Sequence, residues 1–297
     1  MASVQSNGIT IEYEVFGPED GEPALLIMGL SWQLIDWPPS FVDGLAQRGF
    51  RVIAFDNRDV GLSSQIDARF DLHGFLGQWF MGLRPLPPYS LSDMARDAVG
   101  LLDALGVRKA HVIGLSMGGM IAQLVAADHP ERTLSLCSIM SSSGAPGLPP
   151  PRPEAQAMLM MQRPDPEDMQ AMVASGVQAR RVIGSPGYPA DAAVMATHVE
   201  RTIRRSYRPG GIARQLAAIT AGPDRRPKLA TVKAPTLVIH GSDDPLVPVE
   251  AGRDTAAHVP GARLLEIAGM GHDLPEALMP RLLDAIAENA ARARQPA

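Results

Sequence analysis

Residues 110–118 read Ala110-His111-Val112-Ile113-Gly114-Leu115-Ser116-Met117-Gly118, and an apolar stretch from Met117 to Asp128 follows. The run Ala110 to Gly114 predicts a strand and the later stretch a helix. Between them, Gly114-Leu115-Ser116-Met117-Gly118 matches G-x-S-x-G in the strand–turn–helix context that gives the pattern meaning. So sharp a turn strains the backbone at Ser116, and the positions two residues to either side must be small for it to close. The turn lifts the Ser116 hydroxyl above the carboxyl edge of a sheet, and the helix N-terminus faces a developing oxyanion. The competing reading is a plain Gly-Ser-Gly connector in a doubly wound fold. Context favours the nucleophile.

Upstream, Ile9 to Phe16 alternates like a strand and stops at Gly17-Pro18, while Ala24 to Met28 is continuously apolar, as a strand covered on both faces would be. A helix is expected from Ser40 to Arg48, a strand from Arg51 to Phe55, and a helix from Ser92 to Leu105 with Ser92 as its N-cap. Downstream comes a strand, Leu134 to Met140. Strands separated by helices imply a parallel sheet with right-handed crossovers.

The rhythm breaks at Ser141, and Pro149, Pro150, Pro151 and Pro153 form an entry no helix can cross. Glu154 to Arg208 is helical in period and holds Met158, Met160, Met161, Met169, Met172 and Met195. Methionines of this kind suit a cap over an apolar substrate, and they suit ordinary helix core equally well. The alternation resumes with strand Thr236 to His240, helix Val249 to His258, strand Arg263 to Ile267 and helix Leu274 to Ala293. Three segments result: residues 1–140 as the first portion of the core, 141–222 as a helical insertion, and 223–297 as the second portion of the core.

A serine needs a base, and the base needs an orienting acid; in folds with a nucleophile elbow the chain order is Ser, acid, His. His73 precedes the serine, His111 and His240 belong to strands, His129 and His258 close helices, and His198 lies in the insertion. His272 remains, flanked by glycine in Gly269-Met270-Gly271-His272. For the acid, His240-Gly241-Ser242-Asp243-Asp244-Pro245 offers two neighbouring carboxylates, only one of which can face the histidine. The two oxyanion N–H groups are assigned to Met117 and to Leu30, in the loop Met28-Gly29-Leu30-Ser31-Trp32. Trp32 and Trp37 either line the acyl pocket or pack that loop down.

Composition narrows the classes. The 297 residues are 45% hydrophobic and 20% charged with a net charge of −5, which excludes a disordered polymer, and no basic stripe suits a nucleic-acid binder. Cys137 is the only cysteine and falls in an apolar run, so it reads as a buried inert thiol and leaves serine as the nucleophile. No Cys or His cluster has metal spacing, and no metal or organic cofactor is expected. Met1 to Gly8 lacks a signal pattern and no stretch approaches the roughly 18 to 20 apolar residues of a membrane span, so a cytoplasmic protein that does not engage membranes is expected. Oligomeric state is left open.

Two further stretches, Asp56-Asn57-Arg58-Asp59-Val60-Gly61-Leu62-Ser63 and Pro235-Thr236-Leu237-Val238-Ile239-His240-Gly241, complete a pattern. With the elbow and Gly271-His272 they resemble, from Ile9 to Ala293, the α/β-hydrolase superfamily: its D-x-R-G-x-G-x-S loop and its acid-bearing strand. The resemblance implies a mostly parallel sheet with helices on both faces and an inserted helical cap. It places the acid, as G-x-x-D, on Asp244, with Asp243 left to a turn bond. It also implies that Asp56 and Arg58 brace the floor of the site. Met28-Gly29 with Trp37, the Asn57-Arg58-Asp59 variant and Gly269-Met270-Gly271-His272 are similar to small ester hydrolases of the aclacinomycin methylesterase type. Met28 replaces the usual histidine of the family's H-G loop, Leu30 stands where such methylesterases tend to have glycine, and Asp59 replaces the glycine of D-x-R-G. What the resemblance implies is a serine carboxylic-ester hydrolase acting on a small-molecule ester. A lactonase, a carbon–carbon bond hydrolase, a cofactor-free perhydrolase or a non-catalytic receptor on the same fold are the alternatives.

Overall fold

The computed structural model describes residues 1–161 and 164–294. Residues 162–163 of the expected insertion and 295–297 at the end of the expected core lie outside the described residues. In chain order come β1 (Ala2–Ser6), β2 (Ile9–Phe16), β3 (Glu22–Ile27), α1 (Pro39–Gln47), β4 (Phe50–Phe55), α2 (Leu72–Phe80), α3 (Leu91–Ala104), β5 (Ala110–Leu115), α4 (Met117–Asp128) and β6 (Thr133–Ile139). Helices α5 (Pro153–Met160), α6 (Met169–Ile183), α7 (Ala192–Arg205) and α8 (Pro209–Thr220) follow. The chain then continues through α9 (Arg226–Leu229), β7 (Thr236–Gly241), α10 (Val249–His258), β8 (Arg263–Ile267) and α11 (Met279–Arg292).

The strands form one sheet of order β1-β2-β4-β3-β5-β6-β7-β8, parallel from β4 to β8 and antiparallel at the β1–β2–β4 end. Every residue of β5 and β7 is buried, His111 and His240 included, so neither strand alternates polar with apolar residues. One core layer joins the sheet to α3 and α4, the other joins it to α1 and α11. Because the central strands are parallel, the loops after β3, β5, β6, β7 and β8 all leave the same edge. Open α/β sheets bind ligands at that edge.

Three expectations change. The polar lead Met1–Gly8 contains β1, an edge strand whose mostly exposed residues leave no apolar pattern to announce it. Helix α3 is capped by Ser90 rather than Ser92: the Ser90 hydroxyl accepts from the Asp93 N–H, and the Asp93 carboxylate accepts from the Ser90 N–H at 2.7 Å. The last helix starts at Met279 instead of Leu274, after a 3-10 turn Glu276–Leu278, because Pro280 is tolerated only in a helix's first turn.

Between β6 and β7 the chain leaves the sheet and returns through a stitched neck. Arg225 donates its backbone N–H to the Ser143 carbonyl at 2.9 Å and its guanidinium to the Ser142 carbonyl at 2.8 Å. Burial among neutral partners pulls that guanidinium's pKa down to about 10. Among the described residues no helix is long and apolar enough to cross a membrane.

Candidate active site

The turn from β5 into α4 holds Ser116 at φ 56° and ψ −119°, a left-handed conformation that a serine adopts only under constraint. The constraint is visible. The Ser116 N–H donates to the Ile139 carbonyl at 2.8 Å, and the Ser141 hydroxyl donates to the Ser116 carbonyl at 2.7 Å. Gly114 is obligatory, because a Cβ there would lie 2.1 Å from the Gly118 carbonyl oxygen. Met117 opens α4, so its N–H has no partner within the helix.

Strand β3 lies beside β5 with Ile27 opposite Gly114, which delivers the loop Met28–Trp32 next to Ser116. A Cβ on Gly29 would stand 3.2 Å from Ser116 Cβ, so the two loops are nearly in contact. Asn57 anchors the loop by donating to the Met28 carbonyl at 2.9 Å. Leu30 then lines the same cavity as Ser116, and among the described residues its N–H has no hydrogen-bond acceptor.

The β7 loop resolves the two carboxylates. Asp244 Oδ1 accepts from the N–H groups of Leu246 and Val247 at 2.9 and 2.8 Å, and Oδ2 meets His272 Nδ1 at 2.6 Å. Both side chains are buried. With Nδ1 donating to the carboxylate, Nε2 is the nitrogen left to accept a proton. Asp243 turns the other way. It accepts from the Ser242 hydroxyl and from the Gly269 N–H at 2.7 and 2.8 Å, and these two bonds hold its carboxyl below the usual range. Its work is to tie down the loop that carries His272.

That loop is also held by the connection between α6 and α7. The His272 N–H donates to the Ile183 carbonyl at 2.7 Å, the Gly271 N–H to Ser185 Oγ at 2.8 Å, and the Gly187 N–H to the Gly269 carbonyl at 2.9 Å. The Ser185 hydroxyl in turn donates to Asp273. A second histidine sits behind: His240 donates Nε2–H to the Val247 carbonyl at 2.7 Å and lies 3.6 Å from Asp244 Oδ2.

A cavity of about 210 Å³ is lined by Ser116, Gly29, Leu30, Trp32 and His272, with Met158 and Met172 from α5 and α6. No hydrogen bond joins Ser116 Oγ to His272 among the described residues. A second cavity of about 580 Å³ adjoins it and shares Trp32, Asp36, Arg180 and His272. Met195 lines the second cavity, whereas Met160 and Met161 are exposed. Trp37 reaches neither: it is 3% exposed and stacks on Phe41 at 5.0 Å, so of the two tryptophans it is the one that packs the loop down.

Sequence reasoning missed the cluster between the cavities. Buried Asp36 takes the Arg180 guanidinium at 2.6 Å and His198 Nε2 at 2.8 Å on one oxygen, and Arg180 lies over the Trp32 ring at 4.7 Å. Burial alone would raise the Asp36 pKa; the His198 hydrogen bond and the Arg180 charge outweigh it and leave the pKa lowered. The bracing residues divide their work. Asp56 receives the N–H groups of Leu34 and Leu62 and the Arg205 guanidinium, while Arg58 forks onto Asp97 of α3 at 2.6 Å through both nitrogens.

A family model described as alpha/beta hydrolase fold matches residues 25–184, and one described as TAP-like protein matches residues 214–277. The chain is 33% identical to rhodomycin D methylesterase DauP of Streptomyces sp. (strain C5), over 95% of each chain. Its fold is similar to that of the meta-cleavage product hydrolase from Pseudomonas fluorescens IP01, with a TM-score of 0.76 at 18% identity over 99% of this chain and 98% of that one. The enol-lactonase from Burkholderia xenovorans LB400 is similar at a TM-score of 0.69 and 23% identity, over 99% of both chains.

Proposed function

The chain belongs to the α/β-hydrolase fold family, and we propose that it is a serine hydrolase that cleaves carboxylic esters of small to medium apolar molecules through an acyl-enzyme. His272 Nε2 takes the Ser116 proton as Ser116 Oγ attacks the ester carbonyl. The N–H groups of Leu30 and Met117 hold the oxyanion. The tetrahedral species collapses, His272 gives its proton to the departing alcohol oxygen, and water repeats the cycle on the acyl-enzyme. Asp244 fixes the imidazole tautomer and stabilises its cation. Helices α5–α8 act as the cap, and their methionines supply some of the apolar wall. Besides the ester and water, the steps use only side chains and backbone of this chain, and a cytoplasmic setting belongs to the same reading.

The observation that carries the proposal is the strained Ser116 sharing one cavity with a histidine whose far nitrogen is bound to a buried carboxylate. The likeness to a methylesterase supports the ester class. A fluorophosphonate probe followed by a burst assay on a short p-nitrophenyl ester tests it. Labelling at Ser116 with turnover is expected, and Ser116→Ala should lose about 10⁶-fold in kcat. Wild-type-like turnover by Ser116→Ala would refute the mechanism.

A further inference from the structure

We infer that His240 is a positioning residue for the reaction: its Nε2–H fixes the turn that aims Asp244 at His272. The inference rests on the ester-hydrolase reading and deepens it. The peptide groups of Val247 carry the connection. Its N–H donates to Asp244 Oδ1 at 2.8 Å, and its carbonyl accepts from His240 Nε2 at 2.7 Å. The Leu246 N–H donates to the same Oδ1 at 2.9 Å. One carboxylate oxygen is thereby anchored, and Oδ2 is left to face His272 Nδ1 at 2.6 Å. His240 Nε2 stands 3.6 Å from Oδ2, beyond a hydrogen bond, so its hold on Asp244 runs through Val247.

Packing alone does not explain a histidine at this place. The side chain is fully buried, and with the proton on Nε2 its Nδ1 is a bare acceptor that has no hydrogen-bond partner among the described residues. A stranded buried acceptor destabilises a fold, and a leucine there would strand none. What leucine lacks is a donor for Val247. Helix α10 makes room for the ring, since a Cβ on Gly252 would stand 2.4 Å from Nδ1. The imidazole therefore reaches from α10 to the loop after β7, with Nδ1 against the helix and Nε2 on the loop. Burial also lowers its pKa, so the group behind Asp244 is a neutral donor and adds no charge to compete with the His272 cation.

Kinetics of the full chain on a short p-nitrophenyl ester test the inference. His240→Leu should lower kcat roughly 10- to 100-fold and leave KM within about two-fold. His240→Gln, which returns an N–H donor near the place of Nε2, should recover most of that loss. In an Asp244→Asn background, His240→Leu should cost no more than about two-fold further, because residues that act as a unit are not additive. Gly252→Ala, which drives the ring off its seat, should lower kcat as His240→Leu does. If the leucine variant does not fold, a slow Gly252→Ala beside a fast His240→Gln upholds the role, and the reverse overturns it. Wild-type kcat in folded His240→Leu, a glutamine variant as slow as the leucine one, or a full second loss on top of Asp244→Asn would each overturn it as well. Fluorophosphonate labelling of Ser116 separates the two readings. With labelling and turnover in the unmodified chain, any of those results removes the role of His240 and leaves the hydrolase standing. No labelling and no turnover would overturn the esterase reading, and the inference with it.

Discussion

Gly118 lies so close to Ile27 that a Cβ on it would stand 1.9 Å from the Ile27 carbonyl oxygen. The second glycine of the elbow is therefore a contact between the first turn of α4 and the end of β3, in addition to its role in the turn. Gly118→Ala must push helix and strand apart, at a cost of roughly 1–3 kcal/mol, and should displace Met117 and the Leu30 loop together. Denaturant melts and ester turnover should both fall. Gly77 in α2 makes the contrast: it has nothing within 4 Å of its would-be Cβ, so Gly77→Ala should stabilise by about 0.5–1 kcal/mol. Equal effects at the two positions would contradict this account.

The two adjacent aspartates should separate cleanly by kinetics. Asp244→Asn leaves His272 Nδ1 facing an amide and should lower kcat by about 10⁴-fold. Asp243→Asn keeps an acceptor for one of its two partners, Ser242 or Gly269, and should cost no more than about ten-fold. A larger loss in the Asp243 variant would exchange the roles.

Most of the elbow is readable because strand, glycine, serine, glycine and helix fall within a few consecutive residues, where steric rules act locally. His272 is legible by the glycines around it, and Asp244 by resemblance rather than by chemistry, since Asp243 offers the same carboxylate one residue earlier. The Asp36 cluster is not legible. Its partners lie 144 and 162 residues away in sequence, and nothing about a lone aspartate in a loop announces them. Trp32 and Trp37 are indistinguishable in sequence for a related reason: which of two tryptophans faces a cavity depends on helix packing behind the loop.

Asp59 shows how a departure from pattern is accommodated. It sits at φ 71°, a conformation natural for the glycine the family has there. Its carboxylate is gripped by both Arg214 nitrogens at 2.8 Å and by the Ile66 N–H at 2.7 Å. The pair is buried. Arg214→Ala should therefore cost about 3–5 kcal/mol, because it strands a buried charge. Asp59→Gly combined with Arg214→Ala should be more stable than Arg214→Ala alone, as urea titrations would show; additive losses would refute the coupling.

His240 predicts an acid limb in stability. Burial pulls its pKa down, and nearby Asp244 only partly offsets that. Groups facing it include His272, Glu266 and the Val247 carbonyl. The unfolded chain thus binds more protons than the native one just below about pH 6.5, the ordinary histidine value. Stability should rise with pH up to that point and be lost as pH falls from it toward the depressed native value. His111, also lowered by burial, adds to the same limb. In His240→Gln the slope of unfolding free energy against pH between about 5 and 6.5 should flatten; an unchanged slope would assign the limb elsewhere.

The hydrogen bonds that join Ile183, Ser185 and Gly187 to the loop of Gly269, Gly271 and His272 make the inserted helices more than a covering. A shortened chain joining residue 140 directly to 223 would keep every strand of the sheet and the serine at its edge. It would still leave the histidine's backbone N–H with no acceptor and its loop held from the β7 side alone, by Asp243 and Asp244. The helices between β6 and β7 and the loop after β8 are thus hydrogen-bonded as one piece.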